Sequence, residues 1–207
     1  MKPEPGEPGR SFALLASGAA FSCEVFDRLL QCRRPPDLLV LPEYPPADMP
    51  AADLLATAKP RRLLQLAQDT DVEYAPAAWQ NTLAAQVRQR GFDFLLIACW
   101  PYLLAPALIE SPLKATLNLH PSLLPAYRGP DPLAQQLATQ DRRFGVSLHL
   151  LNQQFDHGDI VAQAEIDVAG TGYDRADLER RCAHRGVELF LAAAEAFPDW
   201  RPTAQAP

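Results

Sequence analysis

Asn118 and His120 stand two residues apart at the end of an apolar run, and the run turns at once into Pro121-Ser122-Leu123-Leu124-Pro125. In an extended strand side chains alternate between faces, so Asn118 and His120 point one way while Leu117 and Leu119 point the other. Two polar groups on one face of a covered strand are costly unless something engages them. An amide can donate a hydrogen bond to an oxygen that becomes negative during acyl transfer. An imidazole can move a proton near neutral pH, and a nearby carboxylate stabilises its charged form. A carboxylate is available in the stretch Asn152-Gln153-Gln154-Phe155-Asp156-His157-Gly158-Asp159. Asp156 opens a tight Asp-His-Gly-Asp turn there, in which Gly158 reads as the residue of positive φ. Two plainer readings stand beside this one: a satisfied structural polar pair in the strand, and an ordinary hairpin turn, where Asp and Gly are common. Spacing alone does not bring Asp156 to His120.

The elements that must position these residues follow from periodicity. Short apolar runs at 12–17, 37–41, 92–99, 113–120, 145–151 and 159–168 predict strands. Helical spacing predicts helices over 20–32, 61–69, 78–90 and 174–197, with shorter ones near 105–110 and over 131–140. Strands alternating with helices predict a single α/β domain, Rossmann-like, with a mostly parallel sheet and helices on both faces. In such sheets ligand crevices lie at the carboxyl ends of the strands, which is where Asn118 and His120 fall. The proline-rich segment 42–59 reads as an irregular loop. Residues 1–10 read as a flexible N-terminal segment, 11–197 as the catalytic domain, and 198–207 as a tail with few apolar anchors that frays.

The 207 residues suit one domain with a sizeable core; 48% are hydrophobic and 21% charged, as expected of a globular chain. A net charge of −6 argues against a non-specific hold on nucleic acid. The four cysteines, Cys23, Cys32, Cys99 and Cys182, form no close metal-type pair and read as reduced structural thiols. The N-terminus has no signal-type apolar run, and no stretch approaches the ~20 apolar residues a membrane helix needs. A cytoplasmic protein with no metal and no membrane attachment is expected, its oligomeric state left open.

With these residues in view, Asn118-Leu119-His120-Pro121-Ser122-Leu123-Leu124-Pro125 followed by Phe155-Asp156-His157-Gly158 resembles the signature of the folate-dependent formyltransferases. The resemblance is strong from Phe92 to Val168 and looser before that. It implies a donor, 10-formyltetrahydrofolate, and an amine acceptor. It places the family's catalytic residues on Asn118, His120 and Asp156: Asn118 and protonated His120 would stabilise the tetrahedral oxyanion, and Asp156 would orient His120 and help move protons. It implies a folate pocket made largely of main-chain groups at Tyr102, Leu103 and Leu104, with Ile109 against the ring and the loop from Gln154 through Phe155 to Asp156 completing it.

The acceptor side is less marked. Ser17 and Gly18 occupy the first strand-to-helix turn, where backbone N–H groups could hold a phosphate, but Gly18 is the turn's only glycine. Arg128 and Gly129 lie in the loop after the catalytic strand. His149 matches a histidine of the family's ribonucleotide branch, with a structural strand histidine as the alternative. His157 departs from the family pattern and reads as an exposed turn residue, and His184 as a helix-face residue. The resemblance to methionyl-tRNA formyltransferases implies a further C-terminal barrel and a basic loop after the second strand, whereas this chain ends after its last helix and its 42–59 loop is acidic until Lys59. The expected acceptor is therefore a small-molecule amine, with sugar and nucleotide amines as the candidate class. The alternatives are methionyl-tRNA or glycinamide ribonucleotide as acceptor, a formyltetrahydrofolate hydrolase, and, in another class, a non-catalytic folate-binding protein.

Overall fold

The computed structural model describes residues 10–42, 60–76, 80–139, 141–168 and 173–206. Residues 1–9 of the expected flexible segment and 43–59 of the proline-rich loop lie outside them. The elements in chain order are β1 (Phe12–Ala16), α1 (Ala20–Gln31), β2 (Leu38–Leu41), α2 (Pro60–Asp69), β3 (Tyr74–Pro76), α3 (Gln80–Arg90), β4 (Phe94–Ala98), α4 (Pro106–Ile109), β5 (Ala115–His120), α5 (Pro132–Ala138), β6 (Gly145–Leu150), β7 (Ile160–Glu165) and α6 (Arg175–Ala196).

The strands form one seven-stranded sheet in the order β3-β2-β1-β4-β5-β6-β7. The first five in that order are parallel, and β6 runs antiparallel to both β5 and β7. Every residue of β1 and β4 is buried, because helices cover both faces of the sheet's centre. One face packs on α1, α2 and α6 through Phe21, Phe26, Leu63, Val187 and Phe190. The other packs on α3 and α4 through Leu83, Val87 and Leu108. This is the expected doubly covered α/β fold, and among the described residues no helix is long and apolar enough to cross a membrane. The chain leaves β1 toward β2 on one side and reaches β4 on the other, so a crevice opens between the carboxyl ends of β1 and β4.

Two departures from expectation have physical causes. The sequence pattern misses β3, whose three residues are too few for an alternation to show. The tail does not fray. The Trp200 ring stacks on Phe94 with centroids 6.1 Å apart, and its indole N–H donates to the Ala193 carbonyl at 2.7 Å. Further along, Thr203 exchanges two backbone hydrogen bonds with Ile160, each 2.9 Å. A single tryptophan is anchor enough when it lands on an aromatic cluster.

Candidate active site

The site grows from the junction of β5 and β6. Leu117 and Leu119 point into the core under α6, and Asn118 and His120 point to the opposite face. Because β6 is antiparallel, its register sets His149 directly across from Asn118 and Ser147 across from His120. The loop between β6 and β7 then returns Asp156 over the same spot. The Asn118 amide nitrogen lies 2.9 Å from His149 Nε2 and donates to Asp156 Oδ1 at 3.3 Å. His120 Nδ1 is 3.5 Å and His149 Nε2 3.6 Å from that same oxygen. One carboxylate oxygen thus faces an amide and two imidazoles.

Hydrogen bonding assigns the tautomers. His149 Nδ1 donates to the Leu150 carbonyl at 2.8 Å, so in the neutral ring Nε2 accepts from Asn118. His120 Nε2 donates to the Tyr127 carbonyl at 2.8 Å, which leaves Nδ1 bare toward Asp156. Burial pushes the His120 pKa below the usual value, more than Asp156 and the Tyr127 carbonyl raise it, and His149 adds to the lowering. Burial thus favours the neutral ring, the form that can take up a proton. For Asp156 burial is the largest influence and acts upward, yet a proton on the His149 or His120 ring and the Gly129 N–H act against it and hold its carboxyl below the usual value.

The backbone around these groups is held in unusual conformations. Asp156 itself has φ of 57°, so the left-handed residue of the turn is the carboxylate and not Gly158. Gly158 is required for space: a Cβ there would meet the Leu150 carbonyl oxygen at 1.7 Å. The Gly129 N–H donates to Asp156 Oδ2 at 2.9 Å and fixes the second carboxylate oxygen. Tyr127, at φ of 58°, turns its carbonyl toward His120. Two non-glycine residues in the left-handed region, Tyr127 and Asp156, at one cluster are the kind of strain found at functional sites. The loop after β5 is braced in turn. Ser147 Oγ donates to the Ser122 carbonyl at 2.6 Å and accepts from the Leu124 N–H at 3.0 Å, and Ser122 Oγ donates to the Ala126 carbonyl at 2.7 Å.

Next to the cluster, the 102–105 loop leaves Tyr102 and Leu103 exposed and Leu104 buried. The Gln80 side chain grips its backbone, donating to the Leu103 carbonyl at 3.0 Å and accepting from the Ala105 N–H. Ile109 packs half-buried against the core below, and the buried indole N–H of Trp100 meets no acceptor among the described residues. In the turn that carries Asp156, Phe155 is 56% exposed, with Gln154 beside it in sequence.

The sequence pattern of the formyl transferase family matches residues 47–194. The chain belongs to the formyl transferase family. Among its relatives are the methionyl-tRNA formyltransferases of Mycoplasmopsis pulmonis, 29% identical over 76% of this chain and 52% of that protein, and of Chloroflexus aggregans, 32% identical over 75% and 52%. That of Thermus thermophilus is 33% identical over 58% of this chain and 39% of its own length, so the chain spans about half or less of these relatives. Solved structures with the same fold include glycinamide ribonucleotide transformylase 1 from Symbiobacterium toebii, with a TM-score of 0.69, 20% identity and both chains fully covered. A 4-N formyltransferase from Francisella tularensis superposes with a TM-score of 0.63 and 15% identity over 95% of this chain and 74% of that one.

In this chain Asn118, His120 and Asp156 meet within 3.5 Å; of the residues read as acceptor contacts, His149 and Gly129 join them, whereas Ser17, Gly18 and Arg128 are engaged elsewhere. Ser17 Oγ accepts from the Ala19 N–H at 3.2 Å and Ser22 Oγ from the Gly18 N–H at 3.1 Å, which uses two of the turn's donors internally. Arg128 turns to the tail, donating to the Gln205 side chain at 2.9 Å and the Ala206 carbonyl at 2.8 Å. Gly129 serves Asp156. His157 donates from Nδ1 to the Phe155 carbonyl at 2.6 Å on the exposed side of the turn, away from the cluster's other contacts. Gln80 and Gln205 are the participants that the sequence reading missed. Both act on backbone groups distant in sequence, and glutamine at such positions carries no local signal.

Proposed function

We propose that the chain transfers a formyl group from 10-formyltetrahydrofolate to the amine of a small acceptor, a sugar or nucleotide amine being the class that suits it. The observation that carries this reading is the convergence of Asn118, His120 and His149 on one oxygen of Asp156. The acceptor nitrogen forms a bond to the formyl carbon, the oxygen becomes an oxyanion, and the bond from carbon to the donor nitrogen then breaks. Asn118 supplies the oxyanion with the N–H it now gives Asp156 across the longer of its two contacts. Neutral His120 takes the proton released by the amine at Nδ1, where Asp156 supports the charge, and returns it to the departing nitrogen. His149, fixed by the Leu150 carbonyl, keeps the Asn118 amide turned the right way.

The donor would lie along the 102–105 loop, held by main-chain groups of Tyr102, Leu103 and Leu104, with Ile109 beneath and Gln154 and Phe155 opposite. The buried, unsatisfied Trp100 N–H is a polar group that such a ligand would complete. Several observations support a small acceptor. The first turn spends N–H groups of Gly18 and Ala19 on serine oxygens, Arg62 is paired with Asp27 at 2.9 Å, and Arg143 with Glu165 at 2.6 Å. The similarity to methionyl-tRNA formyltransferases favours the second reading, a tRNA acceptor.

The deciding experiment incubates the protein with 10-formyltetrahydrofolate and either a panel of small amines or methionyl-tRNA, and follows formyl adducts and free tetrahydrofolate by mass spectrometry. Free tetrahydrofolate stoichiometric with a formylated small amine is the expected result. Efficient formylation of the charged tRNA that falls steeply with salt would establish the second reading instead. Formate without adduct would mean a hydrolase, and neither product a binding protein.

A further inference from the structure

The tail beyond α6 ends its described course against the catalytic turn. The Gln205 amide nitrogen donates to two carbonyls of that turn, Asp156 at 2.9 Å and Gly158 at 2.7 Å. Its amide oxygen accepts from Arg128 at Nε, 3.1 Å, and at Nη2, 2.9 Å. Arg128 sits between Tyr127, whose carbonyl holds His120, and Gly129, whose N–H holds Asp156. One side chain thereby joins the two loops that fix the carboxylate and the imidazole. The Thr203–Ile160 pairing and the Trp200 anchor keep Gln205 on station.

We infer that Gln205 is a positioning residue for Asp156, clamping the carbonyls on either side of His157 so that the carboxylate stays opposite Asn118 and His120. The turn needs such a clamp because Asp156 occupies the left-handed region, which a non-glycine residue leaves readily when nothing holds it. Both clamped carbonyls could turn to water if released, so losing Gln205 would loosen the turn without unfolding the domain. The catalytic consequence rests on the formyl-transfer reading, but the placement of Asp156 does not. Misplacement of a catalytic group by ~1 Å can cost ~10²-fold in rate.

The test uses the full chain with Gln205→Ala and Gln205→Glu. Histidine side-chain NMR follows the titration of His120, which faces Asp156, His149, Asn118 and the Tyr127 carbonyl, and amide exchange follows residues 155–158. In Gln205→Ala the His120 midpoint should fall toward that of Asp156→Asn, and the turn amides should exchange faster. With donor and acceptor present, kcat should drop about 10- to 100-fold with the acceptor KM near its original value. Glutamate still offers Arg128 an acceptor but has no N–H for the carbonyls, so Gln205→Glu should behave like Gln205→Ala. A wild-type His120 midpoint and wild-type exchange in Gln205→Ala would overturn the proposal, whatever the activity. Full behaviour in Gln205→Glu would also overturn it, because the Arg128 arm alone would then suffice. Shifted NMR signals in a chain that formylates no acceptor would uphold the clamp and reject the formyl-transfer reading.

Discussion

Both amide protons of Asn118 are committed at rest, one to His149 and one to Asp156, so the oxyanion role proposed for it depends on giving one up. Asn118→Ala should lower kcat by about 10²–10³-fold, the usual cost of an oxyanion donor, with donor affinity little changed. Steady-state kinetics with separate binding titrations would check this, and near-normal turnover in a folded variant would remove Asn118 from the mechanism. Asp156→Asn keeps the turn's shape but removes the anion that raises the His120 pKa. His120 should then titrate lower still, so the acid limb of the rate profile should move to lower pH while the plateau falls. An unmoved limb at full rate would make Asp156 a turn residue only. The Asn-x-His pair was legible because two polar side chains on one face of a central strand violate its apolar pattern. The setting of His149 was not: a histidine one strand away looks the same in sequence whether it faces Asn118 or solvent, and only the β5–β6 register decides.

At the scale of elements, the turn after β6 shows how a backbone detail would govern the proposed chemistry. An Asp-x-Gly turn suggests a glycine chosen for its φ, yet the left-handed residue is Asp156 and Gly158 is chosen for clearance. Sequence reports that glycine is needed and is silent on which of its two freedoms is used. Gly158→Ala should push the turn off Leu150 and carry Asp156 with it. We expect a loss of about 1–3 kcal/mol in stability from the forced contact, read from urea unfolding, together with a larger proportional loss of activity. If both remain unchanged, the turn has room that this structure denies it. The long helices and the buried strands were readable from periodicity. β3 and the docked tail were not, since a three-residue strand has no period and the tail's hold comes from single contacts to distant elements.

Over the whole molecule, the depressed titrations of His120 and Asp156 contribute to how stability depends on pH, with His184 acting in the same sense as His120. Each group binds its proton more weakly in the fold than in the unfolded chain, so the unfolded chain takes up more protons as the medium is acidified. The His120 contribution should be complete above the unfolded histidine value of ~6.5 and lost as pH falls through its lower folded value. That of Asp156 should persist to the unfolded carboxylate value of ~3.9 and disappear below it, as its own folded value is passed. Urea midpoints measured from pH 7 downward should therefore fall first in the histidine window, and His120→Gln should reduce the fall in that window and leave the carboxylate window as it was. A midpoint that stays level until the carboxylates titrate would mean His120 is not buried neutral.

The pairing of Thr203 with Ile160 reaches beyond this chain's own catalysis. β7 closes one side of the sheet, and an uncovered outer strand offers a row of backbone groups on which a strand from another molecule can grow. By laying a short segment against the start of that strand, the protein masks the end nearest Asp156. A chain cut after Trp200 would unmask it, and light scattering at rising concentration should then report self-association that the intact chain resists.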